Sequence, residues 1–356
     1  MNDRDEFLRD RLMPEQPGAR AARPPGPQPR DFPPMAPRPT PQPPQPPLPP
    51  QRRQQAPPPP PHTPDHGWRR MVRLATFGLI NPGPSAARRQ DAQFEAVIQT
   101  ALRGNHKVGV LGKGGVGKTS VAASVGSIFA ELRKQDRVVA IDADTAFGRL
   151  SSRIDPQTTG SFWELTADKN LRSFSDVIAR VGRNPAGLHV LGGEPATGPR
   201  RVLDPAIYRE AALRLDRHFA ISVIDCGSTM DAPVTQEVLR DLDALIVVSS
   251  PWADGASAAA RTMEWLSDRG LTRLLHNSIV VLNDSDGHAD KRTRALLARE
   301  FVDHGRPVVE VPFDPHLRPG GVIDVNHEMS AATRRKFLEV TATIAGYFAV
   351  QPERSR

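Results

Sequence analysis

The segment "HKVGVLGKGGVGKTSVAAS", residues 106–124, constrains the fold more than any other stretch of this chain. Val108, Val110 and Leu111 belong to a short apolar, β-branched run that reads as a buried strand. Gly112-Lys113-Gly114-Gly115-Val116-Gly117-Lys118-Thr119 then matches the spacing G-x-x-x-x-G-K-[ST]. Beyond it, Val121, Val125, Ile128, Phe129 and Leu132 recur at helical spacing. Strand, glycine loop and helix in this order turn the backbone tightly. Several N–H groups then converge on one phosphate at the positive end of a helix dipole. In such a loop Lys118 reaches the β- and γ-phosphates, and the Thr119 hydroxyl holds Mg2+. Lys113 has no task in the plain form of this loop and needs a separate reason.

From residue 105 onward, apolar strands alternate with amphipathic helices. Strands are predicted at 107–111, 137–142, 188–192, 219–225, 243–249, 277–283 and 307–311, with a long last helix over about 329–349. The alternation predicts a three-layer α/β/α P-loop NTPase domain whose mostly parallel sheet is covered on both faces. Ligands of such sheets bind beyond the carboxyl ends of the strands, so the chemistry is expected just after each strand.

The second predicted strand runs into "VVAIDADTAFGRL", where Asp142 and Asp144 share one side of an extended chain. The fourth runs into "FAISVIDCGSTMD" and places Asp225 before Gly227, in the form of a Walker B aspartate that binds Mg2+ directly or through water. A carboxylate at a strand end also serves as a helix cap. The loop upstream favours the metal role for Asp225. Asp142 is a second candidate ligand, and Asp144 is placed to position the attacking water in ATP hydrolysis. The sixth strand ends "SIVVLND", where Asn283 offers an amide to a base edge. The seventh ends "VVEVPFDPH", where Pro312 and Phe313 are candidates to wall an adenine.

Lys113 within "GKGGVGKTS" (Gly112 to Ser120) resembles the deviant Walker A loop, K-G-G-x-G-K-[ST], of the MinD/ParA ATPases. "IDADTAFG" resembles their first switch, "VIDCGST" their Walker B and second switch, and "VVLND" with "VPFD" their adenine-binding loops. The resemblance covers about residues 105–350 and keeps the family's order. It implies ATP and Mg2+ as ligands, and an ATP-dependent homodimer in which Lys113 reaches the partner's nucleotide. The electrostatics are coherent, since a lysine about 4 Å from a phosphate is worth roughly 4 kcal/mol per unit charge at an effective dielectric near 20. Cys226-Gly227 stands where many members carry a proline-containing turn. Iron proteins that share the loop hold a cluster between subunits with two thiolates from each. Cys226 is the only cysteine here, which excludes that reading.

Composition divides the rest of the chain. Residues 1–64 hold 23 of the 37 prolines, in runs such as "PQPPQPPLPP". Such a segment lacks the apolar side chains for a core and is expected to be disordered, with polyproline II character. It serves either to bind a partner of the SH3 or WW kind or as a tether. Residues 66–104 form a basic linker. Within it Trp68, Met71, Val72, Ala75 and Leu79 share a helical face that packs on the neighbouring domain or lies on a membrane surface. Residues 85–104 read as a helix closed by Gly104, and 351–356 as a short tail. The leader, "WRRMVRLATFGLINPGPSAARRQ" and the P-loop stretch together look like the EspI-type ATPases of type VII (ESX) secretion. That likeness implies secretion-system proteins as partners of the Pro-rich arm.

Of the formal charge of +7, +6 lies in residues 1–104, which carry 15 Arg, no Lys and 9 acids. A near-neutral ATPase region makes nucleic acid the less favoured partner, although Arg334, Arg335 and Lys336 would support DNA partitioning. A nucleotide-binding scaffold acting through the Pro-rich arm is the other alternative. One cysteine, no apolar run long enough to span a bilayer and no signal-peptide core lead us to expect a cytoplasmic protein, with peripheral membrane contact confined to 68–80.

Overall fold

Each of the seven predicted strands forms, with ends within two residues of those expected. The computed structural model describes residues 85–144, 148–193 and 201–350. The Pro-rich leader, the 68–80 segment and the tail lie outside the described residues.

The sheet has eight strands in the order β3-β4-β2-β5-β1-β6-β7-β8. They are β1 His106–Gly112, β2 Val138–Asp142, β3 Gly182–Arg183, β4 His189–Leu191, β5 Ile221–Asp225, β6 Ala244–Ser249, β7 Ser278–Asn283 and β8 Val308–Val311. All neighbours pair in parallel except β3 with β4. The two-residue β3 is the one strand the sequence does not announce, because two residues are too few to show a period.

Side-chain alternation divides the strands between two cores. Val108 and Val110 of β1, Val138 and Ala140 of β2, and Ile221 and Val223 of β5 face one core. Leu111, Val139, Ile141 and Ile224 face the other. The first core is covered by α1 (Ala86–Ile98), α2 (Lys118–Leu132), α3 (Leu150–Ile154) and α11 (Ala331–Ala349). The second is covered by α4 (Phe162–Ala167), α5 (Phe174–Ile178), α6 (Pro205–Asp216), α7 (Pro233–Asp241), α8 (Ala253–Asp268), α9 (Thr272–His276) and α10 (Lys291–Asp303). This is the three-layer α/β/α arrangement.

α1 begins where the Ser85 hydroxyl accepts the Arg88 N–H, and it buries Ile98 fully. It packs along α11, where Arg335 donates to Asp91 at 2.6 Å and to Gln90 at 2.8 Å. Arg334 donates to both carboxylate oxygens of Glu131, at 3.0 and 2.9 Å, and Lys336 pairs with Glu339 at 2.8 Å. The basic run opening α11 thus fastens α11 to α1 and α2. Among the described residues no helix is long and apolar enough to cross a membrane.

Candidate functional site

The glycine loop leaves β1 near the centre of the sheet, between β5 and β6. At Gly112 a Cβ would run into the carbonyl oxygen of Val248 on β6, so only glycine fits there. Gly117 caps the N-terminus of α2 with φ 92°, a left-handed conformation that glycine adopts without cost. A Cβ at Gly117 would also strike the Asn283 amide. That amide, expected from the sequence to meet a base edge, lines the cleft described below and donates one N–H to the Val116 carbonyl at 2.8 Å. Asn283 at the end of β7 therefore clamps the loop to the sheet.

The two lysines have different surroundings. Lys118, in the first turn of α2, is buried at 8% exposure. Its ammonium lies 3.4 Å from the Lys113 carbonyl. The Lys113 side chain leaves the loop for solvent and pairs with Asp254 at 2.6 Å, both partners being at least half exposed. Asp254 lies in the first turn of α8, and no sequence signal linked it to the loop.

Across the loop, Thr119 Oγ1 donates to Asp225 Oδ2 at 2.6 Å. The other oxygen, Asp225 Oδ1, is buried and accepts no hydrogen bond. A hydroxyl and an unpartnered carboxylate oxygen side by side form a hard oxygen donor set of the kind Mg2+ takes. Asp142 stands beside Asp225 in the β2–β5 register. Its oxygens accept the Asp144 N–H at 3.2 Å and the Leu150 N–H at 3.1 Å, so it also holds the turn that follows β2. Asp144, half-buried, brings its carboxylate next to Gly227, where a Cβ would lie 3.8 Å from Asp144 Cγ.

These three acids repel one another. Burial pushes the Asp225 carboxyl up to about 6, and Asp144 adds to the rise; the Thr119 hydrogen bond and the Lys118 charge act against it. Burial, and next the Asp225 charge, hold Asp142 well above the ordinary carboxylate range. Asp225 binds a proton more tightly in the native state, so its contribution is full below its unfolded value and is lost as pH rises through about 6. At neutral pH the fold bears an ionised, buried carboxylate. Asp225→Asn should therefore raise the melting temperature of the metal-free protein by a few degrees at neutral pH. The gain should vanish below about pH 3, where the wild-type group is protonated in both states. Thermal unfolding at the two pH values checks this, and a gain that does not depend on pH contradicts it.

An open cleft of about 360 Å3 extends from the loop towards β7 and β8. Gly115, Gly117, Ser120 and Asn283 line one end, and Asp284, Asp286, Leu317 and Arg318 the other. Pro312 and Phe313 are half-buried at the start of the loop that carries Leu317, and the Phe313 ring packs over Gly287. Leu317 supplies the apolar contact at the cleft itself. It stands alone among polar residues in sequence and carries no pattern that would have marked it.

The family model of the CobQ/CobB/MinD/ParA nucleotide binding domain matches residues 110–320. Over 286 residues, 79% of this chain, the sequence is 31% identical to the ESX-1 secretion-associated protein EspI of Mycobacterium tuberculosis. The chain spans 42% of that relative's length. The cell division ATPase MinD of Pyrococcus furiosus superposes with a TM-score of 0.54 at 18% identity, covering 68% of this chain and 99% of that one. The septum site-determining protein MinD of Pyrococcus horikoshii OT3, complexed with Mg-ADP, gives 0.52 at 19% identity, covering 69% and 100%. These two share the fold. The family match takes in more than half of the chain, including the glycine loop, all three strand-end carboxylates and Asn283, and the protein belongs to the CobQ/CobB/MinD/ParA family of nucleotide-binding domains.

Proposed function

We propose that this chain is an ATP-hydrolysing switch that pairs with a second copy of itself when ATP is bound and serves a type VII secretion system. The observation that carries the reading is the separation of the two lysines. Lys118 is buried under its own loop, whereas Lys113 is exposed and, among the described residues, paired with Asp254. An exposed ion pair of this kind is worth about 0–1 kcal/mol. A phosphate about 4 Å away at an effective dielectric near 20 is worth roughly 4 kcal/mol per unit charge. A partner's triphosphate would therefore displace Asp254, and loss of the γ-phosphate would weaken the exchange.

Thr119 and Asp225 would hold Mg2+, with Asp142 supporting Asp225 and fixing the turn that carries Asp144. Mg2+ bound there supplies charge neutralisation for the β- and γ-phosphates. Asn283, Leu317 and Ser120 line the cleft that would take the nucleoside. The likeness to EspI, together with the Pro-rich leader, supports the secretion role, with the leader as the arm that meets secretion-system proteins. DNA partitioning is the less favoured reading, since Arg334 and Arg335 bind Glu131 and Asp91 and so fasten α11 to its neighbours.

Light scattering of the full chain tests the switch. A mass near twice the monomer is expected with a non-hydrolysable ATP analogue, and monomer with ADP. Lys113→Ala should leave ADP affinity within about three-fold and weaken the ATP-dependent dimer by at least about ten-fold. A mass indifferent to the nucleotide rejects the dimeric switch, and a dimer unaffected by Lys113→Ala rejects the role of Lys113.

A further inference from the structure

Arg153, on α3, is 4% exposed. Its guanidinium donates to the Ser120 hydroxyl at 2.8 Å, the Leu317 carbonyl at 2.6 Å and the Gly321 carbonyl at 2.8 Å. Its own carbonyl accepts the Ile323 N–H at 2.9 Å. All of these partners are neutral, and among the described residues no carboxylate forms an ion pair with it. A buried guanidinium without a counter-charge is costly, and neutral acceptors offset that cost only in part. The cost is visible in the direction of its pKa, which burial lowers.

Its position indicates where a counter-charge would come from. Ser120 and Leu317 both line the cleft, so the cation lies one hydrogen bond behind the cleft wall at two points. Ser120 directly follows the Thr119 that meets Asp225. α3 itself is tied to the acid cluster, because Asp142 accepts the Leu150 N–H at its first residue. One side chain thus joins the start of α2 to the 317–323 loop, from a helix whose first N–H meets Asp142.

We propose that Arg153 is a positioning residue whose positive charge, acting through Ser120, favours the phosphates of a bound nucleotide. The inference rests on the nucleotide-binding reading above and extends it to a residue that no loop spacing marks. A charge effect grows with the phosphates on the ligand, whereas a packing effect would weaken adenosine and ADP alike. Arg153 thus separates phosphate recognition from base recognition.

The test is displacement of a fluorescent Mg-ADP analogue from the full chain by ADP and by adenosine. Wild type, Arg153→Gln and Arg153→Lys are compared after far-ultraviolet circular dichroism has checked their folding. Arg153→Gln should weaken ADP by about ten-fold and adenosine by less than about two-fold. Arg153→Lys, which keeps the charge, should recover most of the ADP affinity. If Arg153→Gln does not fold, the ADP-to-adenosine ratio of Arg153→Lys decides: a ratio near wild type supports the proposal, and its collapse overturns it. Equal losses for both ligands, an unchanged ADP affinity, or no rescue by lysine also overturns it. A wild-type chain that binds no ADP fails the nucleotide-binding reading instead, and the two failures are distinct.

Discussion

Lys118→Ala is expected to abolish nucleotide binding, lowering the affinity for Mg-ADP by about three orders of magnitude. The ammonium is buried beneath the loop, 3.4 Å from the Lys113 carbonyl, where water screens it poorly. Removing one unit charge about 4 Å from a phosphate costs roughly 4 kcal/mol at an effective dielectric near 20, and each 1.4 kcal/mol is ten-fold in affinity. A second effect has the same sign. The Lys118 charge is one of two contacts that restrain the Asp225 pKa. Without it the Asp225 carboxyl rises further and gives up its proton less readily to a cation. The loss should therefore be larger with Mg2+ present than without it. Isothermal titration with ADP, with and without Mg2+, measures both parts. Retained Mg-ADP affinity would remove Lys118 from the phosphate site.

The second large effect is on turnover. Asp144→Ala should lower ATP hydrolysis by about 10²–10⁴-fold, the range lost with a group that orients or deprotonates a nucleophile. Binding should not suffer. Asp144 repels both Asp225 and Asp142, so its removal eases the ionisation of Asp225. Its backbone N–H still reaches Asp142 in the variant, because that contact needs no side chain. The expected protein binds Mg-ATP within a few-fold of wild type and persists as an ATP-bound dimer. Phosphate release and light scattering on one sample separate the outcomes. Unchanged turnover would exclude Asp144 from the reaction, and a joint loss of binding and turnover would make it a structural residue of the turn.

Some of the site lies within single elements and was therefore legible. The loop from Gly112 to Thr119, its flanking strand and helix, and the carboxylates at the ends of β2 and β5 all follow from local spacing and strand period. Asn283 is marked by its place at a strand end, but its contact with the Val116 carbonyl, 167 residues away in sequence, is not. Pro312 and Phe313 follow from the end of the last strand, whereas Leu317, four residues beyond Phe313, is placed in the cleft lining by the loop's tertiary course. Arg334 and Arg335 read as a basic surface, yet their partners Glu131 and Asp91 lie on helices far away in the chain.

By itself the sequence determined the phosphate loop, the alternation of strands and helices, and the carboxylates poised at strand ends. Each is encoded by residues a few positions apart, where backbone geometry and side-chain period act directly. Tertiary structure alone decided that Asn283 clamps the loop, that Lys113 rests on Asp254, and that Arg153 stands behind Ser120. The first two of those contacts exist because parallel pairing sets β1 between β5 and β6 with β7 next along the sheet. The order of strands in a sheet is fixed by packing between distant segments, which no local pattern records.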